Sequence, residues 1–150
     1  MTDRSTESTA RAYDWRDDPM GTVIAVPEVR ARFMRFEPGS GPGPGSHSHE
    51  ESGGVEVFVV LEGTMGFEIE GQTVIASAGQ AVVAYPHQKH RAWCAGDEPA
   101  ILYLTVTPHR QPTHTYYDAD GTRQPSRPAR GDYRWQGQPA LGEPSTPSST

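Results

Sequence analysis

Only one cysteine, Cys94, occurs in the 150 residues, so no internal disulfide holds this chain together, and its chemistry suits a reducing compartment. A basic excess is also missing. Thirteen Lys and Arg face 19 Asp and Glu, a formal net charge of -6, which makes nucleic acid and anionic membrane poor partners. No segment approaches the ~18 consecutive apolar residues of a membrane span. The opening "MTDRSTESTARAYDWRDDPM" carries acids throughout and lacks the apolar centre of a secretory signal, so a cytoplasmic location is expected. Helical periodicity is the last absence: between residues 22 and 107 no stretch joins caps to a 3.6-residue apolar repeat.

What is present is strand and turn. The length suits one domain, but hydrophobic residues make up only 34%, and 16 Gly with 14 Pro place much of the chain in turns and loops. Residues 1–21 are polar and read as a mobile lead-in. From residue 22 the stretches "TVIAVP" and "VRARFMRFE" read as strands, followed by the loop "GSGPGPG". Then "VEVFVVL", "TMGFEIE", "TVIA", "AVVAY", "RAWC" and "AILYLTV" recur every 8 to 10 residues with turns between them. At least seven short strands over residues 22–107 predict an all-β sandwich or barrel. Residues 108–136 hold aromatics enough to lie on that body as an irregular arm, and the Pro/Ser/Thr-rich residues 137–150 are expected to be disordered.

His47 and His49 stand two apart, so on an extended backbone both rings point to one side and can grip one ion. In "VEVFVV" Glu56 shares a strand face with Phe58 and Val60. If that face looks inward, the carboxylate costs several kcal/mol unless it is paired or metal-bound; in the alternative, Val57, Val59 and Leu61 form the core face. His90 supplies a third imidazole and shares its strand face with Ala92 and Cys94, whereas His87 falls in the preceding turn. Three imidazoles and a carboxylate suit Fe(II), Mn, Co, Ni or Zn rather than the all-oxygen shells of Ca or Mg.

These residues resemble the two motifs of the cupins. In the first, Gly41, His47, His49, Glu56 and Gly63 match G, five residues, H-x-H, E, six residues, G. In the second, Gly79 and His90 lie eleven apart, as that motif requires. The motifs cover residues 41–99, and the strand pattern extends the likeness to 22–107. There are departures. Six residues rather than three or four separate His49 from Glu56, which leaves Glu50 and Glu51 as alternative carboxylates, with Glu56 preferred for its spacing to Gly63. Tyr85 stands at the second motif's proline, with Pro86 one residue late, His87 at its glycine and Cys94 at its asparagine.

The resemblance implies a single cupin-type jelly-roll barrel, or double-stranded β-helix, holding one divalent transition metal on His47, His49, Glu56 and His90, with Fe(II) favoured. It implies a small-molecule substrate, O2 as a possible co-substrate, and a homodimer paired through an edge strand such as "TVIAVP". The favoured activity is a dioxygenase-type oxidation in which Glu56 also moves a proton. The alternatives are an isomerase, cyclase or decarboxylase, or a non-catalytic cupin that binds a ligand or metal. Strand alternation puts Phe58, Val60, Ala92 and Cys94 toward the cavity, and from the early strand either Met34 and Phe36 or Phe33 and Arg35. His109, His114, Tyr116 and Tyr117 of the arm either close over the site or face solvent.

Overall fold

The computed structural model describes residues 10–39 and 41–126; the beginning of the expected lead-in, the end of the expected arm and the expected disordered tail lie outside them. Among the described residues there are ten strands and no helix, hence none long and apolar enough to cross a membrane. The strands are β1 (Thr22–Val26), β2 (Val29–Phe36), β3 (Ser46–Ser48), β4 (Val55–Glu62) and β5 (Thr64–Ile69). After them come β6 (Gln72–Ser77), β7 (Ala81–Ala84), β8 (His90–Cys94), β9 (Ala100–Thr107) and β10 (Thr115–Tyr117).

They form two five-stranded sheets, β1-β2-β9-β4-β7 and β10-β3-β8-β5-β6, in a jelly roll whose strand pairs are all antiparallel. After β2 the chain crosses between the sheets at every step except β5 to β6, because short strands bury one face each and need a second sheet to cover it. Between β5 and β6 the turn is the two residues Glu70 and Gly71, both at positive φ (49° and 78°), the geometry that matches the twist of a hairpin and favours glycine at its second position.

Strand β4 settles which of its faces is inside. Its alternation turns Glu56, Phe58 and Val60 inward and leaves Val55, Val57 and Val59 half-buried on the outer side, with Leu61 exposed. Phe58 and Val60 join Met65, Phe67, Leu102, Leu104 and Val106 in the core between the sheets. Burial of each such side chain stabilises the fold by about 1.5–3 kcal/mol. The core fills one end of the sandwich, and the polar members of the same inward faces gather at the other.

Two strands were not legible in advance. β3 carries His47 at its centre, and β10 forms within the segment expected to be irregular, pairing Tyr116 with His47 and Thr115 with Ser48. The arm therefore completes one sheet at the edge beside the histidines.

Candidate metal centre

Three strands and one turn bring the site together. β3 presents His47, the turn after it His49, β4 Glu56 and β8 His90, and His47 stands directly opposite His90 in the strand register. Their four donor atoms all lie within 4.8 Å of one another. Opposite donors around a first-row ion with ~2.1 Å bonds stand about 4 Å apart, so the spread is close to that of a coordination shell.

The imidazoles converge on one carboxylate oxygen. His90 Nε2 lies 2.9 Å, His49 Nε2 3.1 Å and His47 Nε2 4.0 Å from Glu56 Oε1. Glu56 is only 5% exposed, with His49 at 0% and His90 at 2%. Burial opposes ionisation of Glu56, yet its hydrogen bonds with His49 and His90 and their charges hold its pKa well below the usual carboxylate range. Burial alone would lower His90; the hydrogen bond and charge of Glu56 outweigh it, and the pKa is raised. His47 is held well below the ordinary imidazole value, first by burial and then by the charges of His90 and His114.

The ring orientations test whether a metal fits. His49 Nδ1–H donates to the carbonyl of Thr113 (2.6 Å), and His90 Nδ1–H donates to that of Gln88 (2.9 Å). A carbonyl only accepts, so each bond fixes the proton on Nδ1 and turns the Nε2 lone pair of the neutral ring toward the carboxylate. Lone pairs of two rings facing a buried anion need positive charge between them. Protons on both rings supply it at the cost of two buried imidazoliums, while a divalent cation supplies it at once. The orientation by backbone carbonyls is also the one seen where histidines ligate metals through the other nitrogen. The residues fit a transition-metal ion.

The departures from the expected motif have a structural account. Residues 50–53 form a turn closed by the Gly53 N–H on the His49 carbonyl (2.8 Å), which absorbs the extra residues before β4. Glu50 and Glu51 point away from the cluster: Glu50 engages Ser48, Tyr117 and Arg123, and Glu51 engages Arg123. At the second motif, residues 85–88 turn with Pro86 at the second position and the Gln88 N–H on the Tyr85 carbonyl. The Pro86 carbonyl then accepts the backbone N–H of His49 at 3.1 Å, so the altered turn buttresses a ligand, while His87 stays exposed.

A cavity of about 370 Å³ opens against the cluster, lined by Met34, Phe36, Phe58, Ala92, Leu104 and the ring of Tyr116, among others. Four of the expected lining residues, Phe58, Ala92, Met34 and Phe36, are there. Val60 and Cys94 are not: both share the inward faces but lie deeper, in the core, where Cys94 Sγ–H donates to the Glu98 carbonyl (3.1 Å). Of the early-strand alternatives, Phe33 packs on Tyr103 on the other face of its sheet, and Arg35 is exposed and pairs with Glu37 (2.6 Å).

Residues of the arm complete the site. The His114 ring lies 4.3 Å from that of His47 and 4.7 Å from that of His49, stacked on Tyr116, and burial holds its pKa well below the ordinary value. Tyr117, on the opposite face of β10, bonds Glu50 instead, and His109 is buried without lining the cavity. Arg30 and Arg32 also line the cavity and were not anticipated there. The alternation of "THTYY" was the available signal for His114 and Tyr116; for the arginines there was the face they share with Met34 and Phe36.

A family model described as a cupin domain matches residues 32–107, just over half of the chain. Among solved structures, a conserved protein with a double-stranded β-helix domain from Klebsiella pneumoniae is 22% identical, with a TM-score of 0.56 over 67% of this chain and 91% of that one. A cupin protein from Bacteroides fragilis is 18% identical, with a TM-score of 0.55 over 69% of this chain and 86% of that one. KdgF from Halomonas sp. is 27% identical, with a TM-score of 0.52 over 61% of this chain and 78% of that one. No protein of curated function matches the chain.

Proposed function

Because this chain belongs to the cupin family, we propose that His47, His49, Glu56 and His90 hold one divalent transition-metal ion, Fe(II) by preference, and that the protein is an enzyme oxidising a small organic molecule in the adjoining cavity. One observation carries the reading: two rings locked by backbone carbonyls direct their Nε2 atoms at a buried carboxylate, with a 370 Å³ cavity beside them. The bound ion would supply Lewis acidity toward a substrate oxygen and, if redox-active, electrons for reaction with O2.

The chain's own part is to place and shield. β4 and β8 hold Glu56 and His90 on rigid strands, which fixes donor positions better than a loop does. Phe58, Leu104, Met34 and Phe36 give an apolar wall that orients a substrate body and keeps water from it. His114 and Tyr116 cover the cluster from the arm side. Glu56, anchored by two rings, is the group in reach to accept a proton from a substrate hydroxyl or enol.

Metal content of protein purified with and without air, followed by O2 uptake with Fe(II) and a panel of diketones and catechols, tests the proposal. Uptake that disappears in Glu56→Ala and His90→Ala supports it. Conversion of substrate without O2 points to an isomerase, cyclase or decarboxylase on the same ion, and tight metal with no turnover across the panel points to a binding protein.

A further inference from the structure

The charges around the cavity contrast with those of the whole chain. The protein carries a net charge of -6, yet the cavity is lined by Arg30, Arg32 and Arg91, and Glu56, at the metal centre, is its one acid. Arg32 donates to the carbonyls of Phe33 (3.2 Å) and Met20 (3.1 Å), and Arg91 is paired with Glu68 (3.0 Å) and donates to the Gly43 carbonyl. Arg30 lines the same cavity as His47, His90 and His114. It is 5% exposed, on the inward face of β2.

The register sets its distance from the centre. Arg30 pairs with Val106, and Val106 pairs with Glu56, so β9 alone separates the two strands that carry them. With strands ~4.8 Å apart, their backbones are about 10 Å apart across the sheet. The apolar Leu104 and Phe58 occupy the next inward positions on β9 and β4, beside that line. A buried arginine and a metal centre that line one cavity from strands two apart, with Phe58 and Leu104 beside them, describe a ligand with an anionic end and a short apolar body. Planar carboxylates match the guanidinium fork best.

We propose that the cavity takes a small carboxylate-bearing molecule, its carboxylate on Arg30 and its apolar body against Phe58, Leu104, Met34 and Phe36. The inference rests on reading the site as a small-molecule metal centre and names the class of that molecule.

The probes are benzoate and its neutral counterpart benzamide, titrated by calorimetry into the full chain after its metal content is measured, and into the chelator-treated chain in parallel. Benzoate should bind about tenfold or more tightly than benzamide. Arg30→Met should abolish that preference while metal content stays as it was, and Arg30→Lys should retain part of it. Equal affinity for the two probes, no benzoate binding at millimolar concentration, or a preference that survives Arg30→Met because the ion itself holds benzoate would overturn the proposal. If Arg30→Met does not fold, the comparison of probes on the unaltered chain and on Arg30→Lys decides. Failure of the chain to retain metal sinks the metal reading alone, since the chelator-treated chain still reports the preference for carboxylate.

Discussion

Single residues carry the metal reading, and the four donors were the most legible part of the sequence. Their offsets are set by the strands and turns that must present them, so spacing together with the likeness to the cupin motifs brought His47, His49, Glu56 and His90 forward. Arg30 was harder to see: in "VRARFMRF" Arg30 and Arg32 stand two apart and look like the solvated face of an edge strand, and only the cavity beneath β2 turns that face inward. Glu56→Gln keeps the shape of the side chain and removes its charge. Its effect should exceed the 10- to 100-fold loss typical of a missing outer-shell partner, so metal affinity should fall by about 100-fold or more, as read by competition with a chromogenic chelator. In the metal-free chain the same substitution should remove the upward displacement of the His90 pKa, which an NMR titration of the ring measures.

At the scale of elements, the long strands were readable and the three-residue ones were not. β4 and β9 span eight residues each and show their period, whereas β3 exists through pairing with β8 and β10, and β10 through pairing with β3, and a period of two has no room to appear in three residues. That pairing matters to the site because the segment leading into β10 supplies the Thr113 carbonyl that orients His49. Gly45 permits the close approach: a Cβ there would lie 2.7 Å from the Tyr117 carbonyl oxygen. Gly45→Ala should therefore push β10 off β3, lower stability by about 1–3 kcal/mol, and weaken metal binding by about tenfold through the loss of orientation at His49. Faster hydrogen exchange confined to residues 115–117 and 46–48, with β4 and β9 unaffected, is the expected signature. Unchanged exchange and unchanged metal affinity would show that the arm does not hold the ligand in place.

Over the whole molecule, the buried histidines tie stability to pH. His47, His109 and His114 all have lowered pKa values, the second pushed down to about 3 by burial and then by the charge of Arg30. Below the ~6.5 of an unfolded histidine the unfolded chain takes up protons that these rings refuse, so stability falls as pH falls, by up to about 1.4 kcal/mol per pH unit for each ring. His90 runs the other way: with its pKa raised, its contribution is complete below ~6.5 and is lost as pH rises through the folded value. Glu56, with a lowered pKa, contributes above ~4.3 and loses that contribution only as pH falls through its folded value. Urea unfolding of the chelator-treated chain should accordingly show greatest stability near neutrality and a loss of several kcal/mol by pH 5. Metal-loaded protein should be more stable than the chelated form at pH 7, because an ion that binds only the folded chain shifts the equilibrium toward it. The gap should close on acidification, since protons and metal compete for the same Nε2 lone pairs. A gap that persisted undiminished at pH 5 would mean that the added ion binds somewhere other than the three imidazoles.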